Sequence, residues 1–142
     1  MRTDEQQRAA IVRFLREAIP GLRGVYLFGS RAGTGEHAHA QSDYDIAVDG
    51  ERGSQLTGLA RLRVINALAD ALAVDRVDLV DLNASTIGHL LRMWAIDGDR
   101  LYASDPAAST EREAKWATMA ADFAVSEREL REAQLTRIRS HG

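Results

Sequence analysis

The chain has 142 residues, 45% hydrophobic and 27% charged, which suits one globular domain with its own core and excludes a collagenous, coiled-coil or disordered chain. It contains no cysteine, so a disulfide scaffold, thiolate catalysis and a cysteine zinc site are excluded, and any metal would be held by oxygen or histidine. A formal net charge of -3 speaks against a protein that coats nucleic acid, and because Lys115 is the single lysine, the positive charge is almost all guanidinium.

No segment approaches the roughly 18 apolar residues of a membrane span, and the opening MRTDEQQRAA lacks the apolar core of a signal peptide, so a cytoplasmic location is expected. Thr3 and Gln6 form a capping-box pattern, followed by Ile11, Phe14, Leu15 and Ala18 at helical spacing. Pro20-Gly21 ends that helix. Val25 to Phe28 then reads as a buried strand that delivers Gly29-Ser30.

A polar segment from Arg31 to Ser42 feeds a second strand, Asp43 to Val48, with period-two alternation. Leu59, Leu62, Ile65, Ala69 and Leu72 are expected to line one face of a long helix capped by Ser54. A third strand spans Arg76 to Leu82. Ile87, Leu90, Leu91 and Trp94 then mark the apolar stripe of a short helix closed by Asp97-Gly98, and Arg100 to Ala103 a small edge strand. After Asp105-Pro106, a capping box at Thr110 and Glu113 predicts a helix running to about Arg139, with Trp116, Ala120, Phe123 and Leu130 on one face. The order of elements predicts an α/β (α+β) fold: a small mixed sheet flanked by helices over residues 1–104, then a C-terminal helix, 105–142, packed on the domain or on a partner.

The chemistry concentrates around the first two strands. A strand ending in Gly29-Ser30 and turning into a helix N-terminus can bring backbone N–H groups and a hydroxyl to phosphate oxygens, because glycine has no Cβ to hold the anion away. Asp43 and Asp45, two apart, present paired carboxylates on one face while Tyr44, Ile46 and Val48 face the core. Asp78 lies within Val77-Asp78-Leu79-Val80-Asp81, and if that strand neighbours the second one it completes a triad, with Asp81 on the opposite face. Two carboxylates about 4 Å apart repel by about 4 kcal/mol at an effective dielectric of 20, so three together call for a divalent cation. An oxygen-only set shared with phosphates suits magnesium. An Asp-x-Asp alone is usually a solvated face; its ordered combination with Gly-Ser and a third strand acid points to a nucleotide site.

These segments resemble the signature of the nucleotidyltransferase fold shared with DNA polymerase β. Phe14-Leu15 through Ile19-Pro20, Tyr26 to Ser30, Ser42 to Val48 and Val77 to Asn83 are further similar to the MntA-type minimal nucleotidyltransferase antitoxins of HEPN–MNT toxin–antitoxin pairs. The resemblance covers roughly residues 11 to 103. It implies a protein adenylyltransferase that uses ATP and magnesium, with two metal ions, to attach AMP to a tyrosine of a HEPN ribonuclease partner. In its terms Gly29 and Ser30 hold the triphosphate, Asp43 and Asp45 bind the metals, and Asp78 is the third carboxylate; because a tyrosine acceptor with pKa about 10 needs a base or a metal to lose its proton at neutral pH, Asp78 is also the candidate base. The twelve-residue spacer from Arg31 to Ser42 is longer than the family's usual one, a change that costs little if the loop bulges outward. Arg31 is a candidate phosphate ligand from that loop, against the alternative of a solvated arginine.

Smaller signals have bland readings. His37 and His39 suit a solvated loop better than a metal site; His89 and His141 suggest nothing specific. Arg31 to His37 matches the HEPN ribonuclease motif only in spacing, within a loop where that motif has no role. Trp94 and Trp116 lie on helical stripes and are expected in the core rather than as a base-stacking platform, and Tyr102 is expected to be structural rather than a modification site. Two other functions stay open: a masking antitoxin with a weak nucleotide site, and a small-molecule nucleotidyltransferase, which would ordinarily carry an additional substrate domain.

Overall fold

The computed structural model describes residues 3–33, 43–51, 56 and 58–141, with the side chains of residues 125, 127, 130 and 136–141 left aside. The elements are α1 (Asp4–Ala18), β1 (Gly24–Phe28), a single 3-10 turn (Gly29–Arg31), β2 (Tyr44–Asp49), α2 (Gly58–Leu72), β3 (Val77–Asp81), α3 (His89–Ile96), β4 (Asp99–Ala103) and α4 (Pro106–His141). The strands form one mixed sheet in the order β3-β2-β1-β4. β1 runs antiparallel to both β2 and β4, while β2 and β3 are parallel.

Alternation along the strands sorts side chains onto two faces. Val25, Leu27, Tyr44, Ile46, Val48, Val77 and Leu79 pack against Ile11 and Leu15 of α1 and Leu68 and Leu72 of α2. Tyr26, Phe28, Ala47 and Leu82 pack on the other face against Ala95 of α3 and Trp116 of α4. The acids at 43, 45 and 78 belong by parity to this second face. Burial, then the nearby Glu113 and Asp49 carboxylates, push the Tyr26 phenol up to about 12, and among the described residues its hydroxyl has no hydrogen-bond partner.

The capping box at α1 forms as predicted: Thr3 Oγ1 accepts from the Gln6 N–H and the Gln6 side chain accepts from the Thr3 N–H. At α4 the predicted cap is misplaced. The helix begins four residues before Thr110, with Pro106 at its first position and Asp105 Oδ1 accepting from the Ala108 N–H, a pairing that proline's fixed φ favours. Thr110 lies inside the helix, its hydroxyl donating to the Pro106 carbonyl.

The expected apolar stripes are buried only in part. In α2 the C-terminal part of the expected stripe holds, with Ala69 and Leu72 buried beside Leu68 and Ile65 packed against the core, while Leu59 and Leu62 in its first turns are exposed. Leu90 is 81% exposed and Trp94 56%, so Trp94 is not a core residue, whereas Trp116 is. α3 has only eight residues and turns Ala95 inward, small enough to let it lie close to the sheet. Ser54, Ser42, His37 and His39 lie outside the described residues, as do the side chains of Leu130 and His141. Among the described residues no helix is long and apolar enough to cross a membrane.

Candidate active site

The chain leaves β1 at Phe28, and Gly29 takes φ +72, in the left-handed region that L side chains avoid. A Cβ there would collide with Oδ2 of Asp45, the residue paired with Phe28 across the strands. The glycine is therefore required on two counts, its φ and the acid that stands against its α-carbon. The helix N-terminus expected after Gly29-Ser30 is a single 3-10 turn, closed by the Ala32 N–H on the Gly29 carbonyl, and it brings little macrodipole.

The parallel pairing of β2 and β3 sets Asp45 directly opposite Asp78, the neighbour relation that the triad required. Burial, then the carboxylates of Asp78 and Asp43, then a side-chain hydrogen bond with Asp78, push the Asp45 carboxyl above its ordinary value, against the lowering effect of Arg76. Asp78 is about half exposed and accepts from Arg76 at 3.3 Å. Turned toward that guanidinium, it does not close a ligand set: among the described residues no three His, Asp or Glu side chains are disposed to hold a metal ion. The donor chemistry nonetheless suits a hard divalent cation, since Asp43 and Asp78 are both close enough to Asp45 to raise its carboxyl.

The Arg31 guanidinium lies over the Tyr44 ring, 4.4 Å from its centroid. Its backbone is held by groups that the sequence did not single out. Arg8 Nη2 donates to the carbonyls of Arg31 (3.3 Å) and Gly33 (3.1 Å) and to Asp99 Oδ2 (2.8 Å), which also accepts from the Gly33 N–H at 2.7 Å. Trp94 packs edge-on against Phe28 with ring centroids 5.2 Å apart, on the sheet face that carries the acids.

Asp49, the third acid of the β2 run, is 1% exposed and fully engaged. It pairs with Arg23 (2.9 Å) and Arg112 (2.6 Å) and accepts from Asn83 Nδ2 at 2.8 Å. No local pattern separates it from Asp43 and Asp45; its partners come from the turn before β1, from the segment after β3 and from α4. A groove of about 710 Å³ lies elsewhere, along α1 and Leu101, and none of the acids lines it.

A family model described as polymerase beta, nucleotidyltransferase matches residues 10–107. Over 96 residues the chain is 45% identical to the protein adenylyltransferase MntA of Shewanella oneidensis, an alignment covering 66% of this chain and 63% of that protein, so it spans somewhat less than two thirds of the curated relative's length. It is similar, with a TM-score of 0.73 and 26% identity over 94% of this chain and 99% of the other, to a structure of the tri-AMPylated Shewanella oneidensis HEPN toxin in complex with MNT antitoxin. A toxin–antitoxin structure with AMP-PNP is similar at a TM-score of 0.69 and 29% identity, over 92% of this chain and 97% of the other. The strand–Gly-Ser turn, the facing acids and the extent of these matches lead to one assignment: the chain belongs to the polymerase β nucleotidyltransferase family and has its minimal nucleotidyltransferase fold.

Proposed function

We propose that this chain is a cytoplasmic antitoxin acting as a protein adenylyltransferase, which moves AMP from ATP to a tyrosine of a cognate HEPN ribonuclease toxin and so neutralises it. The observation that carries the reading is the placement of Asp45 opposite Asp78 on adjacent parallel strands, against Gly29 and with Asp43 close enough to perturb it. Membership of the family and the similarity to complexes holding an AMPylated HEPN toxin or AMP-PNP support the same direction.

In this reading the backbone at Gly29 and Ser30 receives the triphosphate, with Arg31 beside it. Asp43 and Asp45 hold magnesium and Asp78 completes the oxygen set. Magnesium, when bound, supplies the positive charge that offsets both the triphosphate and the clustered carboxylates. The tyrosine oxygen bonds to the α-phosphorus as the bond from that phosphorus to its bridging oxygen breaks, and pyrophosphate leaves with the electron pair. Asp78 accepts the phenolic proton, which a tyrosine of ordinary pKa, about 10, would otherwise keep at neutral pH. Its half-exposed position leaves it open to an incoming acceptor.

The double variant Asp43→Ala, Asp45→Ala tests the site. It is expected to lose AMP transfer to the toxin while its circular dichroism and thermal transition show an intact fold. Transfer at the wild-type rate in the folded variant would overturn the assignment.

A further inference from the structure

We infer that Arg8 and Asp99 are positioning residues of the nucleotide site: their ion pair clasps the segment that leaves Gly29-Ser30 and fixes it for the triphosphate. The inference rests on the proposed nucleotide site. A phosphate-binding backbone works only while its peptide planes are held in one orientation, since a flipped plane turns a carbonyl toward the anion. Among the described residues, the 3-10 turn is closed by the Ala32 N–H on the Gly29 carbonyl, its N-terminus has no side-chain cap, and Gly33 takes φ +67, so the segment has glycine freedom at both ends.

The clasp supplies what the segment lacks. The Arg31 and Gly33 carbonyls both accept from the same Arg8 nitrogen, and the Gly33 N–H donates to the carboxylate oxygen that holds that nitrogen. Neither plane can flip without breaking a charge-assisted bond. Both partners stand on rigid elements. Arg8 is in the second turn of α1, where Asp4 pairs with it at 3.5 Å, and Asp99 opens β4 opposite Leu27, next to the end of β1. The pair is partly buried, at 23% and 32% side-chain exposure, so solvent competes with it less than with a surface pair. Arg31 in turn lays its guanidinium on Tyr44, the residue between Asp43 and Asp45, so the clasped segment and the acid-bearing strand are held in contact.

The test measures AMP-PNP affinity, and the KM for ATP and kcat of AMP transfer to the proposed HEPN toxin, for the full chain and the variants Arg8→Met, Arg8→Lys and Asp99→Asn, each with its thermal transition. A displaced loop costs about tenfold or more, so Arg8→Met is expected to raise the KM for ATP and weaken AMP-PNP binding by at least that factor. Arg8→Lys, which keeps the charge but not the fork, should recover part of the loss. Combining Arg8→Met with Asp99→Asn should add little to the worse single variant, because both break one clasp. A merely structural role would lower the folded, active fraction and thus apparent kcat, leaving KM unchanged. An ATP KM and AMP-PNP affinity within twofold of wild type in folded Arg8→Met and Asp99→Asn would overturn the inference while leaving the function intact. A wild-type chain that binds no AMP-PNP would overturn the nucleotide site and this inference with it.

Discussion

Three aspartates of one seven-residue run, Asp43, Asp45 and Asp49, share a strand parity and differ in everything that decides their chemistry. Asp49 is enclosed by Arg23, Arg112 and Asn83, whereas Asp45 faces two other carboxylates. Removing one partner from a buried ion-pair network leaves the others uncompensated, so Asp49→Ala is expected to cost about 3–5 kcal/mol in urea unfolding. A cost below about 1 kcal/mol would show that the network does not hold α4 to the sheet. Asp45 carries the opposite sign. Its carboxyl is raised above the ordinary 3.8, so the folded state retains a proton that the unfolded state has released, and ionisation of Asp45 weakens folding as pH rises through that window. Without divalent metal, Asp45→Asn should therefore melt higher than wild type at pH 7, and the advantage should shrink as the pH falls toward 3.8. A lower melting temperature for Asp45→Asn at pH 7 would show that Asp45 is stabilised by its surroundings and is not poised to take a cation.

At the scale of elements, what the sequence revealed was what local chemistry determines. α1 announced itself by a capping box and an apolar period, β1 by an unbroken apolar run, and β2 and β3 by alternation, because each signal lies within one element. The failures have a common cause. Leu59, Leu62, Leu90 and Trp94 have the right spacing for a buried stripe, but how far along α2 the core reaches, and which flank of the eight-residue α3 meets the sheet, is decided by their neighbours. At Gly98, between α3 and β4, a Cβ would run into the Leu27 carbonyl and come within 2.9 Å of the Phe28 Cβ, so the turn lies directly on β1 and sets how α3 approaches. The cap of α4 was misread because two acceptable caps stand within five residues, and the proline decides between them.

At the scale of the whole molecule, the candidate site is assembled by long-range pairings. The opposition of Asp45 and Asp78 follows from the parallel register of two strands separated by a helix, which alternation can suggest but not place. The clasp joins residues 91 positions apart and the Asp49–Arg112 pair residues 63 apart, with no sequence pattern to announce either. The acids and the Gly-Ser turn were legible because a strand's period carries them; the residues that steady them were not. α4 extends the molecule further. Its 36 residues span about 54 Å, yet the buried side chains described on it, Ser109 and Trp116, lie in its first third, and those described beyond Phe123 are exposed.

If the acids facing Gly29 serve AMP transfer to a protein, the change should be read by intact mass spectrometry of a HEPN ribonuclease, the kind of partner proposed, after incubation with this chain, ATP and magnesium. A gain of one or more AMP masses on the partner is expected, absent when magnesium is chelated. An unchanged partner mass, with the partner nonetheless bound and its ribonuclease activity silenced, would contradict that role and make this chain an antitoxin that acts by masking alone.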